Sequence, residues 1–295
     1  MDVVEVVLSI LDYYMIHLLN KITFTIIILS FLLPVTLDKD TIELGRDNDP
    51  KVIEDLSKIK LWYRKARWTL LSTPGMRFMA KLYFPKSTIV HLDVENTVAF
   101  TIDDGFCGLD NPDGDMLKDV RYLLDKYNAQ ATFFITGSHT SHTTEYEIDN
   151  LLIDGHELAN HNMYDIPYNK HSESDFENDL IETNRILTKY TEDISSWYRP
   201  PHAKMSKNMH KIIDKYNLTL ILGDVFANDT SIPDPNYISK YILNKVKPGS
   251  IIIIHMPEKG VREWNLEAMD LILQGLNDKG IDIVTLSQLK SLSSN

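Results

Sequence analysis

Asp103 and Asp104 stand side by side in the segment Thr-Ile-Asp-Asp-Gly (101–105). Two adjacent carboxylates do not both stay charged in a dry site unless a cation intervenes, because like charges at close range raise one pKa. The pair therefore points to metal binding or acid–base chemistry, or else to an Asx-turn in which Gly105 supplies a positive φ. His161 and Asp165 lie four residues apart. On one helical turn that spacing projects both side chains to one side, where they can clasp an ion; it is equally the spacing of an ordinary surface turn. Added to Asp104, they make an Asp–His–Asp set that leaves positions open for water and substrate, as catalytic metal centres do. His156 reads as a packed or capping residue, and His139, His142 and His171 as exposed loop residues. Cys107 has no evident base at hand, which disfavours a nucleophile, and no G-x-S-x-G elbow is present.

These residues need elements to hold them. Five short apolar runs read as buried strands: 97–102, 131–137, 218–225, 250–255 and 281–286. Helical patterns lie between them at 116–127, 174–190, 205–216, 235–247 and 264–279. Such alternation means parallel strands with crossover helices, in either a doubly wound sheet or a β/α barrel. In both, sites form at the carboxyl ends of the strands. Asp103-Asp104 follow the first run, and His161 follows His-Glu-Leu-Ala-Asn. Arg199-Pro-Pro-His202 follows Trp-Tyr, Asp229 follows the 218–225 run, and His255 ends the run 250–255. Five such ends on one face would form a polar mouth.

The composition fits one large domain with extensions, or at most two domains: 295 residues, 43% apolar and 24% charged. The formal net charge of -12 argues against nucleic acid as a partner, which demands a dominant basic face. One cysteine excludes an intrachain disulfide and a multi-cysteine zinc site. Residues 22–37 carry no charge, with Lys21 before them and an acidic stretch after. That length falls between a signal-peptide core and a full membrane span. We expect residues 1–40 to be a hydrophobic signal or anchor segment, with a buried helix of the fold as the other reading. The protein would then be membrane-anchored or extracellular, by the secretory pathway. Residues 41–93 read as a linker and a basic helical flank, with a helix over 53–71, and 94–290 as the α/β domain. Asn217 and Asn228 head glycosylation sequons should the chain enter a eukaryotic secretory route.

Thr-Ile-Asp-Asp-Gly (101–105), His-Asn-Met-Tyr-Asp (161–165), Arg-Pro-Pro-His-Ala (199–203), the Phe-Ala-Asn-Asp-Thr region (226–230) and Ile-Ile-His (253–255) occur in this order. Together they resemble the polysaccharide deacetylases, carbohydrate esterase family four, the NodB homology domain. The resemblance covers roughly residues 95–289. It implies an irregular parallel (β/α) barrel of seven or eight strands. It implies Asp103 as the base that deprotonates water, and Asp104 and His161 as ligands of one divalent metal, with Asp165 where a second histidine usually stands. Arg199 would orient the base, and the His202 amide would help hold the oxyanion. Ile253 would line the acetyl pocket, His255 would protonate the leaving amine, and Asp229 would tune that histidine. Zinc is the first choice of metal, and a set with two carboxylates also accommodates Co, Mn, Fe or Ni. The chain departs from the family pattern at Asp165, at Ala203 for glycine and at Thr230 for tryptophan. The implied partner is a polysaccharide and the implied reaction removal of N-acetyl groups from GlcNAc units, chitin-like or peptidoglycan-like. A catalytically weak glycan-binding member and an O-deacetylase are the competing expectations.

Overall fold

The structure, a computed structural model, describes residues 50–71, 84, 85, 87–192 and 194–293. The expected hydrophobic segment 1–40 lies outside the described residues. The chain divides into two compact units, 1–73 and 74–295. In the first, the described element is helix α1 (Pro50–Leu71), which matches the helix expected over 53–71. Ile59 and Trp62 are exposed on it. Among the described residues no helix is long and apolar enough to cross a membrane.

The second unit alternates strands and helices. In chain order they are β1 (Thr97–Gly105), α2 (Leu117–Lys126), β2 (Ala131–Ile135), α3 (Glu145–Ile153), β3 (Glu157–Asn160), α4 (Glu173–Leu187), β4 (Trp197–Tyr198) and α5 (Lys207–Lys215). Then come β5 (Thr219–Leu220), β6 (Val225–Phe226), α6 (Pro235–Lys245), β7 (Ile251–His255), α7 (Trp264–Asp278), β8 (Asp282–Val284) and α8 (Leu286–Leu292). The strands pair in parallel in the order β5-β4-β3-β2-β1-β7-β6, with β8 against the start of β1. Edge strands β5 and β6 are joined by only four residues, so the sheet curls until its edges approach. This is the irregular parallel barrel, with eight strands, that the resemblance implied.

β1 is buried along its whole length. Val98, Phe100 and Ile102 pack outward with the apolar stripes of α2, α6 and α7, while Ala99 shares the interior with Phe134, Ala159 and Ile251. Each Val, Ile or Phe side chain among these contributes about 1.5–3 kcal/mol on burial. Period-two alternation then carries Thr101 and Asp103 to the interior face, above Ala99. β7 runs in register with β1, pairing Ala99 with Ile251, Thr101 with Ile253 and Asp103 with His255. Apolar packing lower in the barrel thus sets a carboxylate and an imidazole side by side at its mouth.

Two local readings change. The apolar run 218–225 is two strands, because the chain crosses from one sheet edge to the other within it. At Gly223 a Cβ would lie 2.5 Å from Ile253 Cγ1 and 2.6 Å from the Ile251 carbonyl, so only glycine lets the backbone pass this close to β7. The Asp224 carboxylate then accepts from the Ile251 amide at 2.9 Å. Helices α3 and α8 are not among the helical patterns read from the sequence, although capping boxes, Thr144 with Glu147 and Thr285 with Gln288, mark their starts, a signature visible in sequence.

Candidate active site

Asp103 and Asp104 lie at the carboxyl end of β1, just before its last residue Gly105, and both are buried. Asp104 has φ +59, a left-handed conformation that aspartate tolerates better than most residues. That break in alternation lets Asp104 take part in the mouth alongside Asp103 instead of following Ile102 outward. Arg199, on the turn after β4, donates through Nη1 to Asp103 Oδ1 at 2.5 Å and to Thr101 Oγ1 at 2.8 Å. Its guanidinium carbon lies 3.9 Å from the centre of the Phe134 ring. The side chain is 2% exposed, so Arg199 and Asp103 form a buried ion pair. Removing one partner of such a pair costs about 3–5 kcal/mol, because the other is left charged and dry.

The free valences around Asp104 bear on whether a cation fits. Its Oδ1 is buried without a hydrogen-bond partner. His161, just beyond β3, donates from Nδ1 to the Arg199 carbonyl at 2.7 Å. A carbonyl only accepts, so Nδ1 carries a proton, and Nε2 is the atom that offers a lone pair once the ring is neutral, as a metal ligand must be. Nε2 stands 3.5 Å from the bare Asp104 oxygen. Two ligands of one tetrahedral ion at the usual bond lengths lie about 3.3–3.6 Å apart. The pair Asp104 and His161 therefore fits a divalent metal. Burial opposes the charge on Asp104, but contact with His161 and the charges of His255 and Arg262 hold its carboxyl well below the usual range.

Asp165 does not join them. Its Oδ1 lies 3.2 Å from His202 Nε2, and both side chains are partly exposed. Among the described residues no group of three His, Cys, Asp or Glu side chains converges on one point suited to a metal. The helical-turn argument for His161 and Asp165 fails for a local reason. Residues 163–166 form bends and 161–162 no regular element, and Asn162 has φ +66, so the helical repeat that would bring residues four apart to one side is missing. His202 and Ala203 also have positive φ, 55° and 51°. Alanine adopts a conformation there that costs an L-residue roughly 1–2 kcal/mol and that glycine takes without strain.

His255 faces the same mouth. Its Nδ1 is 3.1 Å from Asp229 Oδ1, and its amide donates to Asp229 Oδ2 at 2.8 Å. Asn265, in the first turn of α7, donates to that same oxygen at 2.8 Å and to the His255 carbonyl at 2.9 Å. Burial would lower the His255 pKa, but the charge and hydrogen bond of Asp229, aided by Asp104 and Asp103, raise it to about 9. Ile253, two residues earlier on β7, lies on the same strand face and pairs with Phe226 of β6 and Thr101 of β1.

Several residues escaped the sequence reading. Arg262 donates to Asp104 Oδ2 at 2.7 Å, and buried Glu258 accepts from it at 3.2 Å. Asn265 braces Asp229, and Thr101 shares Arg199. His139, expected in an exposed loop, is half-buried with Nδ1 3.0 Å from the Asp104 carbonyl oxygen. Glu258, Arg262 and Asn265 follow β7, so the strand-end rule that found the others could have found them. His156 is buried as expected: its Nδ1 accepts the Ala131 amide and burial lowers its pKa to about 4. Burial and the nearby Glu258 raise the Cys107 thiol to about 11, which suits no nucleophile. Beside Asp165 and Arg262 opens a cavity of about 660 Å³ lined in part by His139, Tyr164 and Lys259.

Residues 93–221 match the family model for polysaccharide deacetylases. A peptidoglycan-N-acetylglucosamine deacetylase of Bacillus cereus is 27% identical over 192 residues, covering 65% of this chain and 67% of that protein. A crystal structure of a peptidoglycan N-acetylglucosamine deacetylase shares the fold, with a TM-score of 0.62 at 24% identity over 69% of this chain and 92% of the other. A family 4 acetyl xylan esterase from Clostridium thermocellum, solved in complex with a cobalt ion, gives a TM-score of 0.58 at 29% identity, covering 66% of this chain and 91% of that one.

Proposed function

We propose that this chain is a polysaccharide deacetylase that hydrolyses N-acetyl groups of a GlcNAc-containing polysaccharide, chitin-like or peptidoglycan-like. The observation that carries the reading is the register pair at the barrel mouth. Asp103, clamped by Arg199, stands next to His255, backed by Asp229, with the bare Asp104 oxygen facing His161.

In this reading Arg199 engages Asp103 Oδ1 and leaves Oδ2 to take the proton of the attacking water. His255 keeps Nδ1 on Asp229, so Nε2 is the atom that delivers a proton to the departing nitrogen. An amine is a poor leaving group unless protonated, and a histidine pKa of about 9 keeps that proton in place at neutral pH. The His202 amide would face the oxyanion, and Ile253 would line the space for the acetyl methyl. Asp104 and His161 would hold the metal; Asp165, paired with His202, is the third ligand the sequence offers. A bound divalent ion, zinc first, then Co, Mn, Fe or Ni, supplies Lewis-acid polarisation of the amide carbonyl and acidifies water. The open cavity beside the site suits a polymer, with Tyr164 as an exposed aromatic surface for a sugar face.

A second reading, glycan binding with weak turnover, draws on the Asp165–His202 pair, which keeps one ligand from the other two. One experiment separates them: acetate release from chitin oligomers, peptidoglycan and acetylated xylan, beside metal content. We expect about one metal per chain in the wild type, release from the first two substrates, and loss of both metal and release in a D104A/H161A variant. Stoichiometric metal in that variant overturns the ligand assignment. Release from xylan alone makes the protein an O-deacetylase, and release from none makes it a binding module.

We further propose that residues 1–40 direct the protein to a membrane or the secretory route, on the strength of the uncharged run 22–37. A chain beginning at Asp40 should leave the membrane fraction of its host. Unchanged fractionation overturns this.

A further inference from the structure

Arg262 has a placement unusual for an arginine in a loop. It follows the end of β7 by seven residues, yet its side chain is only 12% exposed. Nη1 donates to Asp104 Oδ2 at 2.7 Å, and Nη2 to Glu258 Oε1 at 3.2 Å. Glu258 is itself held: its other oxygen accepts from the Gly108 amide at 3.0 Å and from Asn111 Nδ2 at 3.2 Å. One chain of contacts thus ties the loop after β1 to the loop after β7, and it ends on Asp104. It engages Oδ2 and leaves Oδ1 bare, and Oδ1 is the oxygen 3.5 Å from His161 Nε2. A carboxylate free to rotate presents either oxygen. One gripped by a planar guanidinium that is braced on its other nitrogen does not.

We propose that Arg262, braced by Glu258, is a positioning residue for metal binding, fixing Asp104 so that Oδ1 alone is presented beside His161. The inference rests on the reading of Asp104 and His161 as ligands. Two effects of Arg262 oppose each other. Its charge repels a cation, but Glu258 beside it offsets most of that repulsion. Its grip on Asp104 remains, and losing an outer contact to a ligand typically costs about 10–100-fold in metal affinity.

The test is titration of the metal-stripped full chain with cobalt(II), which reports affinity and, through its visible spectrum, ligand geometry. R262M should bind cobalt about 10–100-fold more weakly than wild type and alter the spectrum. R262K keeps the charge and loses the planar fork, and should fall between the two. E258Q should weaken binding in the same direction. Should R262M fail to fold, R262K and E258Q carry the same comparison. Affinity and spectrum unchanged in these variants, or tighter binding, overturn the proposal and leave Arg262 a counter-charge. Cobalt bound by wild type and lost in H161A upholds the ligand reading whatever the Arg262 variants do. No cobalt binding by wild type overturns both.

Discussion

Asp103→Asn should keep its metal, keep its fold and lose about 10²–10⁴-fold in kcat, the usual cost of removing a general base. The substitution is nearly isosteric, and the carboxamide oxygen still accepts from Arg199 Nη1, now 2.5 Å from Oδ1. The buried guanidinium therefore keeps a partner. Asp103→Ala strands it and should lose about 3–5 kcal/mol of stability besides the activity. The pair of variants separates chemistry from folding, read by acetate release, metal content and thermal unfolding. Turnover near the wild-type value in Asp103→Asn would remove Asp103 from the role of base.

The second large effect lies on the acid side. His255→Ala should lose about 10²–10⁴-fold on an unactivated acetamide and far less on an ester with a good leaving group, which barely needs a proton. Asp229→Asn should leave metal content unchanged and move the alkaline limb of kcat/KM to lower pH. The sign follows from the environment. Activity requires the imidazolium, so it is lost as pH rises through the His255 pKa, which stands at about 9. Burial pulls that pKa down and the Asp229 charge is the largest influence holding it up. Removing the charge leaves burial less opposed, and the limb falls. The limbs belong to the coupled site, so the mutant shift assigns them, not the wild-type value. An alkaline limb that stays in place, or metal lost from Asp229→Asn, would return Asp229 to an ordinary buried aspartate.

Much of this was legible without coordinates. The apolar runs 97–102, followed by Asp103, and 250–255, ending in His255, read as strands because burial on both faces leaves a continuous apolar run. β1 and β7 lie next to each other with those residues in register. The Asp229–His255 and Arg199–Asp103 contacts also join residues that the motifs singled out. Strands β3 and β4, of four and two residues, are too short to carry a period of their own. They were placed only through the polar residues that follow them.

The sequence by itself determined which strand ends carry ionisable groups, by the local rule that sites form at the carboxyl ends of parallel strands. That Asp103 and His255 share the interior face came from the β1–β7 register, because a run buried on both faces shows no alternation. Tertiary structure alone decided the partners of Asp104 and Asp165. Arg262 lies 158 residues from Asp104 in sequence, and His202 lies 37 from Asp165. No periodicity relates residues so far apart; their contacts exist only because the barrel brings its loops to one rim. The i, i+4 spacing of His161 and Asp165 misled for the complementary reason. Spacing fixes direction only where the backbone repeats, and at Asn162, with φ +66, it does not.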